Sequence, residues 1–473
     1  MRRTKIICTL GPASDDRSKI RELIAAGMDV ARLNFSHGAR EHHAEVARRV
    51  REESLLAGRY VALLQDLSGP KIRTGRLRGG KPVALIPGQR LWLTPKDVSG
   101  SSRCISVTYP KLAREVKKGN SILLSDGLIA LKVLGTAGDK VETLVLNGGK
   151  VGERKGVNLP GVRLSVPAMT DKDEEDLRFG IQIGVDYIAL SFVRQAADIR
   201  RVKNLLAKEK TFIPVLAKLE KPEALANLEE ILAASNGVMV ARGDLGVEMP
   251  PEQVPLAQKK IIQRAAAAKM PVITATQMLE SMTMEPRPTR AEASDVANAI
   301  FDGTDAVMLS AETATGKYPI EAVQMMVRIA SQADSAILEE NFFRRSRPEN
   351  IQEAISESVV HAAHMLDGKA IIVFTRSGST ARMISKYRPP CPVYAFCHDE
   401  AVARRAALYW GVTPFVLPLV HDIDSTLIEA EEILIHRRLV SHGDLLVVAA
   451  GNPGQPGHTD RMRLLRAGNH KVK

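Results

Sequence analysis

Residues 213 to 246 read IPVLAKLEKPEALANLEEILAASNGVMVARGDLG. The apolar runs at 213 to 218 and 237 to 242 have the length of buried strands, and residues 222 to 234 between them repeat apolar positions at three and four, as a helix packed on one side does. Strand, helix and strand in that order make one parallel unit. Both strands end on charge: Lys218 and Glu220 on the first, Arg242 and Asp244 on the second. Charges at the ends of otherwise apolar runs are costly unless paired or used.

The unit recurs along the chain. Runs at 5 to 10 (KIICTL), 29 to 35 (DVARLNF), 60 to 66 (YVALLQD), 186 to 192 (DYIALSF), 271 to 276 (PVITAT) and 305 to 310 (DAVMLS) bring the candidate strands to eight. Amphipathic stretches of helix length lie between them at 16 to 26, 41 to 56, 171 to 183 and 252 to 268. The count and the alternation predict a (β/α)8 TIM barrel of the α/β class. Residues 70 to 165 break the rhythm with Gly-rich turns (Arg78-Gly79-Gly80, Asn147-Gly148-Gly149) and alternating segments such as VETLVL. This stretch reads as a β-barrel-like domain inserted in a barrel loop, where a lid over the active end belongs. Towards the carboxyl end, helices and strands alternate again, with strands at 370 to 375 and 444 to 451, as in an open-sheet α/β domain. The last segment, RMRLLRAGNHKVK, reads equally as an edge strand or a basic tail. The expected domains are a barrel from 1 to 69 and 166 to 345, a lid from 70 to 165, and an α/β domain from 346 to 473. Three domains suit a length of 473 residues.

With 45% hydrophobic and 25% charged residues, the composition excludes collagenous and low-complexity chains. Lys plus Arg at 66 against Asp plus Glu at 54 gives +12, which calls for an anionic partner. Nucleic acid fits poorly, since the basic residues come as scattered pairs such as Arg48-Arg49 and Arg404-Arg405, and aromatics for base stacking are only 4%. Cys8, Cys104, Cys391 and Cys397 show no metal or redox spacing and read as reduced thiols of a cytoplasmic protein. No stretch reaches the roughly 18 apolar residues of a membrane span, and the apolar run before Gly11 is too short for a signal-peptide core.

Seven of the eight strand ends carry polar groups: Arg32 and Asn34, Asp66, Ser191, Lys218 and Glu220, Arg242 and Asp244, Thr276, then Ser310 and Glu312. Strand alternation puts Lys218 and Glu220 on one face. Glu220 with Asp244 supplies two carboxylates for a hard divalent cation such as Mg2+, beside Gly243 and Gly246, which let a ligand approach the backbone. Arg32, Arg73 and Lys218 then suit a phosphorylated substrate, and the set suits phosphoryl transfer.

These residues lie in longer motifs: KIICTLGPAS (5 to 14), ARLNFSHG (31 to 38), DLSGPKIRTG (66 to 75), KGVNLPG (155 to 161), AKLEKPEAL (217 to 225), ARGDLGVE (241 to 248), ATQMLESM (275 to 282) and PRPTRAEASDVANAIFDGTDAVMLSAET (286 to 313). Through them the sequence resembles the pyruvate kinase family over nearly the whole chain. The resemblance implies transfer of a phosphoryl group from phosphoenolpyruvate to ADP, with Mg2+, or Mn2+ as its substitute, held by Glu220 and Asp244. It implies that Arg32 contacts the transferring group and that Lys218 neutralises charge as it moves. It implies further that backbone N–H groups at Gly243 and Asp244, with Thr276, hold the substrate carboxylate, and that Thr276 relays a proton to the enolate. Asn34, His37 and Arg73 would face the nucleotide, joined by Lys155 and Asp126 from the lid.

Many relatives hold K+ through groups matching Asn34, Ser36, Asp66 and the carbonyl of Leu67, in a segment reading Asp-Thr-Lys-Gly-Pro-Glu. Here it reads Asp66-Leu67-Ser68-Gly69-Pro70-Lys71. An ammonium at Lys71 in place of Glu is expected to substitute for K+, as in the K+-independent, bacterial-type branch. Ala311 stands where the family usually has Gly, a methyl group of little consequence unless φ is positive there. Thr375, Ser377, Gly378, Ser379 and Thr380 at a strand-to-helix turn form a ready anion site, and the resemblance implies that it takes the phosphate of a sugar-phosphate or nucleotide effector; the loop at 451 to 457 reads equally as its cover or as a plain surface turn. The resemblance also implies a homotetramer.

Overall fold

In the computed structural model, which describes residues 2–339, 348–417, 423–451 and 459–469, eight parallel strands close into a barrel in sequence order. They are β1 (Lys5–Thr9), β2 (Val30–Asn34), β3 (Ala62–Asp66), β4 (Tyr187–Leu190), β5 (Val215–Leu219), β6 (Gly237–Ala241), β7 (Val272–Ala275) and β8 (Ala306–Leu309). Each overlaps one of the eight apolar runs, because a strand covered on both faces has no polar face to alternate with.

The two-residue period sorts the side chains. Ile6, Cys8, Ala31, Leu33, Leu63, Val215, Ala217 and Leu219 pack outwards against the surrounding helices. Ile7, Val30, Leu64, Ala189, Leu216 and Met239 fill the interior of the barrel. One further step of two along the strands reaches Thr9, Arg32, Asp66, Ser191 and Lys218, so the inward row that is apolar below becomes polar at the carboxyl end.

Three of the outer helices start at side-chain caps. Asp16 accepts from the amide of Lys19, while Thr170 with Asp173 and Thr289 with Glu292 form reciprocal capping boxes.

The inserted segment folds as a curled six-stranded sheet, from Val157–Asn158 at one edge to Cys104–Ser106 at the other, with its own apolar core around Leu91, Leu93, Ile122, Leu131 and Val145. The chain leaves the barrel for this sheet through Gly69, whose φ is +66° and whose missing Cβ would lie 2.6 Å from the Phe192 ring. Both the backbone and the space require glycine there. Where the chain returns, Arg194 donates to the carbonyls of Leu164 at 2.6 Å and Val166 at 2.5 Å.

The C-terminal sheet has five strands in the order Val412–Val416, Val393–Cys397, Ala370–Thr375, Leu445–Gly451 and Thr459–Arg466. The last runs antiparallel, so the first part of the basic final segment is an edge strand. Buried Asp334 accepts from the amides of Arg3 and Thr4, from the Thr4 hydroxyl and from Trp410 Nε1, which fixes the start of β1 against this domain. No helix among the described residues is long and apolar enough to cross a membrane.

Several basic residues are spent internally: Arg2 pairs with Asp29, Arg48 and Arg49 with Glu45, and Arg51 and Arg404 with Asp186.

Candidate active site

Four buried charges alternate in sign across the barrel mouth. Asp66 Oδ2 accepts from Arg32 Nε at 2.7 Å and from its terminal nitrogen at 2.6 Å, while Asp66 Oδ1 lies 3.2 Å from Lys218 Nζ. Lys218 Nζ is also 2.8 Å from Glu220 Oε1 and donates to Ser191 Oγ at 2.7 Å. Ser191 Oγ in turn donates a hydrogen bond to the Leu67 carbonyl at 2.7 Å, and Arg32 donates to Thr9 Oγ1 at 2.9 Å. The remaining Glu220 oxygen accepts from the Phe192 amide at 2.8 Å. β2 and β3 are in register at Asn34 and Asp66, which brings the Arg32 side chain alongside the Asp66 carboxylate.

Burial works against every one of these charges, and the neighbours decide the outcome. For Lys218 burial favours the neutral amine, yet Asp66 and Glu220 outweigh it and hold the ammonium above the ordinary lysine range. For Asp66 burial pushes up, but Lys218 and Arg32 bring the carboxyl below its usual value. Glu220 goes the other way. Burial and the nearby Asp244 carboxylate raise it, and Lys218 offsets only part of this. Buried carboxylates that resist ionisation in this way gain most from a cation.

Asp244 is half-buried on the short helix Arg242–Glu248 that follows β6, and among the described residues its carboxylate makes no hydrogen bond or ion pair. It lines a cleft of about 780 Å³ between the barrel mouth and the inserted sheet. A partly dehydrated carboxylate free to coordinate, next to one whose ionisation is disfavoured, fits a hard divalent cation with two protein ligands and the rest from water and substrate. No cluster of three or more His, Cys, Asp or Glu suited to a metal exists among the described residues.

Thr276 follows β7 with φ +68°, and Gln277 after it has φ +55°. Two successive left-handed residues that are not glycine cost roughly 1–3 kcal/mol each. Arg242 holds them. Its guanidinium donates to the Thr276 carbonyl at 2.8 Å and the Gln277 carbonyl at 3.1 Å, and pairs with Asp295 at 2.7 Å. So held, Thr276 Oγ1 accepts from the Gly243 amide at 2.7 Å, which makes this N–H an internal donor here rather than an open one.

The residues expected to face a nucleotide separate into two groups. Arg73 and Asp126 line the cleft; Arg73 pairs with Gly156 as an isolated bridge, and Asp126 is an exposed lid residue with φ +57°. Lys155 is exposed beside them, its amide donating to Thr74 Oγ1 at 2.9 Å. His37 sits exposed at the rim, where partial burial of its ring and then the charges of Lys71, Arg73 and Arg32 lower its pKa. Asn34 supports the same turn by accepting from the Ser36 amide at 3.2 Å.

The expected cation-substitute group is brought together only in part. Asn34 and Asp66 are register partners, Ser36 bonds to Asn34 and its Oγ lies 3.3 Å from Ser68 Oγ, and Ser191 Oγ contacts both Asp66 and the Leu67 carbonyl. Lys71 is exposed and, among the described residues, forms no ion pair with Asp66; its charge registers instead at His37.

Ala311 opens the short helix Ala311–Ala314 without a positive φ, so the methyl group is accommodated. Glu312 is fully buried, accepting from the amides of Ser310 at 2.7 Å and Leu279 at 3.1 Å, which is a structural role. At the C-terminal turn, the Gly378 amide donates to Thr375 Oγ1 at 3.0 Å and the Ser379 amide to Ser377 Oγ at 3.4 Å, while Ser379 Oγ accepts from Gln352. Thr380 Oγ1 meets Thr459 Oγ1 at 2.7 Å, and Gly378 takes the left-handed φ of +83° that the turn needs. Residues 452 to 457 of the expected cover lie outside the described residues.

Thr9 and Phe192 were not legible as contributors, and Arg242, read as a charged strand end, gave no sign of its role. Alternation along KIICTL would have carried Thr9 inward, but Phe192 acts through its amide and Arg242 through carbonyls 34 and 35 residues away, for which the sequence has no signal.

A TIM barrel with acid–base pairs at its mouth, under an inserted lid, is the framework of a phosphotransferase. Family models for the pyruvate kinase barrel domain and the pyruvate kinase alpha/beta domain match residues 1–323 and 353–465. The chain is 49% identical to a pyruvate kinase of Geobacillus stearothermophilus and 47% identical to one of Sporosarcina psychrophila, in each case over 98% of this chain and 80% of the relative. A crystal structure of a pyruvate kinase from Cryptosporidium parvum superposes with a TM-score of 0.92 at 39% identity, covering 98% of this chain and 96% of that one. The chain belongs to the pyruvate kinase family.

Proposed function

We propose that the row of alternating charges at the barrel mouth transfers the phosphoryl group of phosphoenolpyruvate to ADP, releasing pyruvate and ATP. The observation that carries this reading is the Arg32–Asp66–Lys218–Glu220 row, whose interior ammonium is kept protonated by carboxylates on both sides.

Glu220 and Asp244 hold Mg2+, for which Mn2+ substitutes. When bound, the cation offsets charge on substrate oxygens and orients them for in-line transfer. Arg32, fixed by Asp66 and Thr9, directs its guanidinium at the moving phosphoryl group. Lys218 contributes a fixed positive charge as the P–O bond of phosphoenolpyruvate breaks and an enolate is left behind. An ammonium held above its ordinary range is a poor acid at neutral pH. The proton that the enolate takes up at carbon therefore comes by way of the Thr276 hydroxyl and water. The amides at Gly243 and Asp244 receive the substrate carboxylate once Thr276 yields the first of them. Arg73, His37 and Asn34 from the barrel side, with Lys155 and Asp126 from the lid, surround the ADP phosphates and ribose.

The same reading assigns the enzyme to the K+-independent branch, with the Lys71 charge doing the work of the monovalent ion. The support is positional: Lys71 lines the same cleft as Arg73 and Asp244. The Thr375–Thr380 turn receives the phosphate of an activating sugar phosphate or nucleotide, supported by its two local amide-to-hydroxyl bonds, at 3.0 and 3.4 Å, which an anion can replace.

Three measurements test these assignments. Lys218→Met lowers kcat by about 10²-fold to 10³-fold while phosphoenolpyruvate and Mg2+ still bind; turnover near wild type refutes the role of the ammonium. In a Tris-buffered medium free of K+, the wild-type enzyme turns over at full rate, and strong activation by added K+ contradicts the Lys71 assignment. Ser377→Glu, which sets a carboxylate where the phosphate would lie, abolishes activation by added sugar phosphate or nucleotide; unchanged activation rejects that site.

A further inference from the structure

Glu248 is buried in the wall of the cleft, outside the charge row at the barrel mouth. Its Oε1 accepts from Lys221 Nζ at 2.7 Å and from Asn158 Nδ2 at 3.0 Å. These three side chains come from three separate parts of the molecule. Lys221 directly follows Glu220. Glu248 lies one helical turn beyond Asp244 on Arg242–Glu248. Asn158 ends the lid strand Val157–Asn158. The Lys221 and Glu248 side chains are only 10% and 2% exposed, so the pair is sheltered from solvent screening. Lys221 also stands 5.9 Å over the ring of Phe192, the residue whose amide holds Glu220.

We propose that Glu248 is a positioning residue that couples closure of the lid to the spacing of the two cation-binding carboxylates, an inference that rests on Glu220 and Asp244 being those carboxylates. A buried ion pair contributes little net stability, because desolvation consumes most of the attraction, but it specifies one geometry. Here that geometry joins the segment carrying Glu220 to the helix carrying Asp244. Two carboxylates left to themselves repel one another, and the Lys221–Glu248 pair holds their backbones at a set distance. The Asn158 amide reaches the same oxygen only while the lid covers the cleft, so this bond distinguishes the closed arrangement from the open one, as any coupling requires. By linkage, a cation that draws Glu220 and Asp244 together favours the closed lid, and the closed lid strengthens cation binding by the same factor.

The test uses the full chain with Mn2+ as the only ligand, and follows hydrogen exchange of residues 155 to 162 together with Mn2+ binding by electron paramagnetic resonance. In the wild type, Mn2+ slows exchange across that segment. In Asn158→Ala the slowing shrinks and Mn2+ affinity falls, each by about fivefold or more. Glu248→Met has at least the same effect, and in that background Asn158→Ala adds nothing further. Asn158 is only half-buried in the lid, so its substitution leaves a folded chain even where Glu248→Met does not. Equal Mn2+-induced protection in wild type and Asn158→Ala overturns the coupling, as does simple additivity of the two variants. If Mn2+ binding by the wild type survives Glu220→Gln unchanged, it is instead the assignment of the carboxylates that fails.

Discussion

The Asp66 carboxylate is the anchor of this barrel mouth. It is the last residue of its strand, it is essentially excluded from solvent, and it holds Arg32 with one oxygen and Lys218 with the other. A carboxylate in that position has no stable state without cations, and the two cations have none without it; removing one member of such a buried set costs roughly 3–5 kcal/mol. The arrangement therefore fixes protonation as well as position. Lys218 is a charge and not an acid, and Glu220 is left partly uncompensated on the side towards Asp244. A site wired in this way is prepared for negative charge that moves, which is what phosphoryl transfer presents.

Around this row the molecule uses backbone constraints to bring distant segments in. The strained turn at Thr276 and Gln277 is held by one arginine from the end of the preceding strand, and the left-handed Phe192 offers its amide to Glu220. Gly69 yields space to the Phe192 ring where the chain departs for the lid, and Arg194 secures the point of return. The junction of the inserted sheet with the barrel and the support of the charge row therefore share Phe192.

The barrel was legible because its signal is redundant: eight buried runs, each with a polar end, leave few alternatives. The inward row could be read in the same way, since a period of two from Leu216 leads to Lys218 and from Leu64 to Asp66. What the sequence did not reveal depends on contacts made by backbone atoms or across long separations. Arg242 looked like one more charged strand end, and only the fold shows it gripping the carbonyls of Thr276 and Gln277. Glu312 looked equally functional and turned out to cap its own turn. Lys71 is exposed on the loop after Pro70 and lines the cleft, and no pattern in the sequence announces that His37 is the ring its charge acts on. Many of the 66 basic residues pair with acids on the helices, but such pairs are net neutral and leave the +12 excess as it was; the cations that matter chemically are a few at one end of the barrel.

The central claim is that Asp66 keeps Lys218 charged. The pH profile of kcat for Asp66→Asn, set beside that of the wild type, tests it most directly. Without the carboxylate, burial dominates and lowers the lysine pKa, so the active ammonium is lost as pH rises through a lower value. The account predicts that the alkaline limb of the variant moves toward neutral pH and that kcat falls even below it, as Arg32 loses its fixed position. A variant with wild-type kcat and an unmoved alkaline limb would contradict the account.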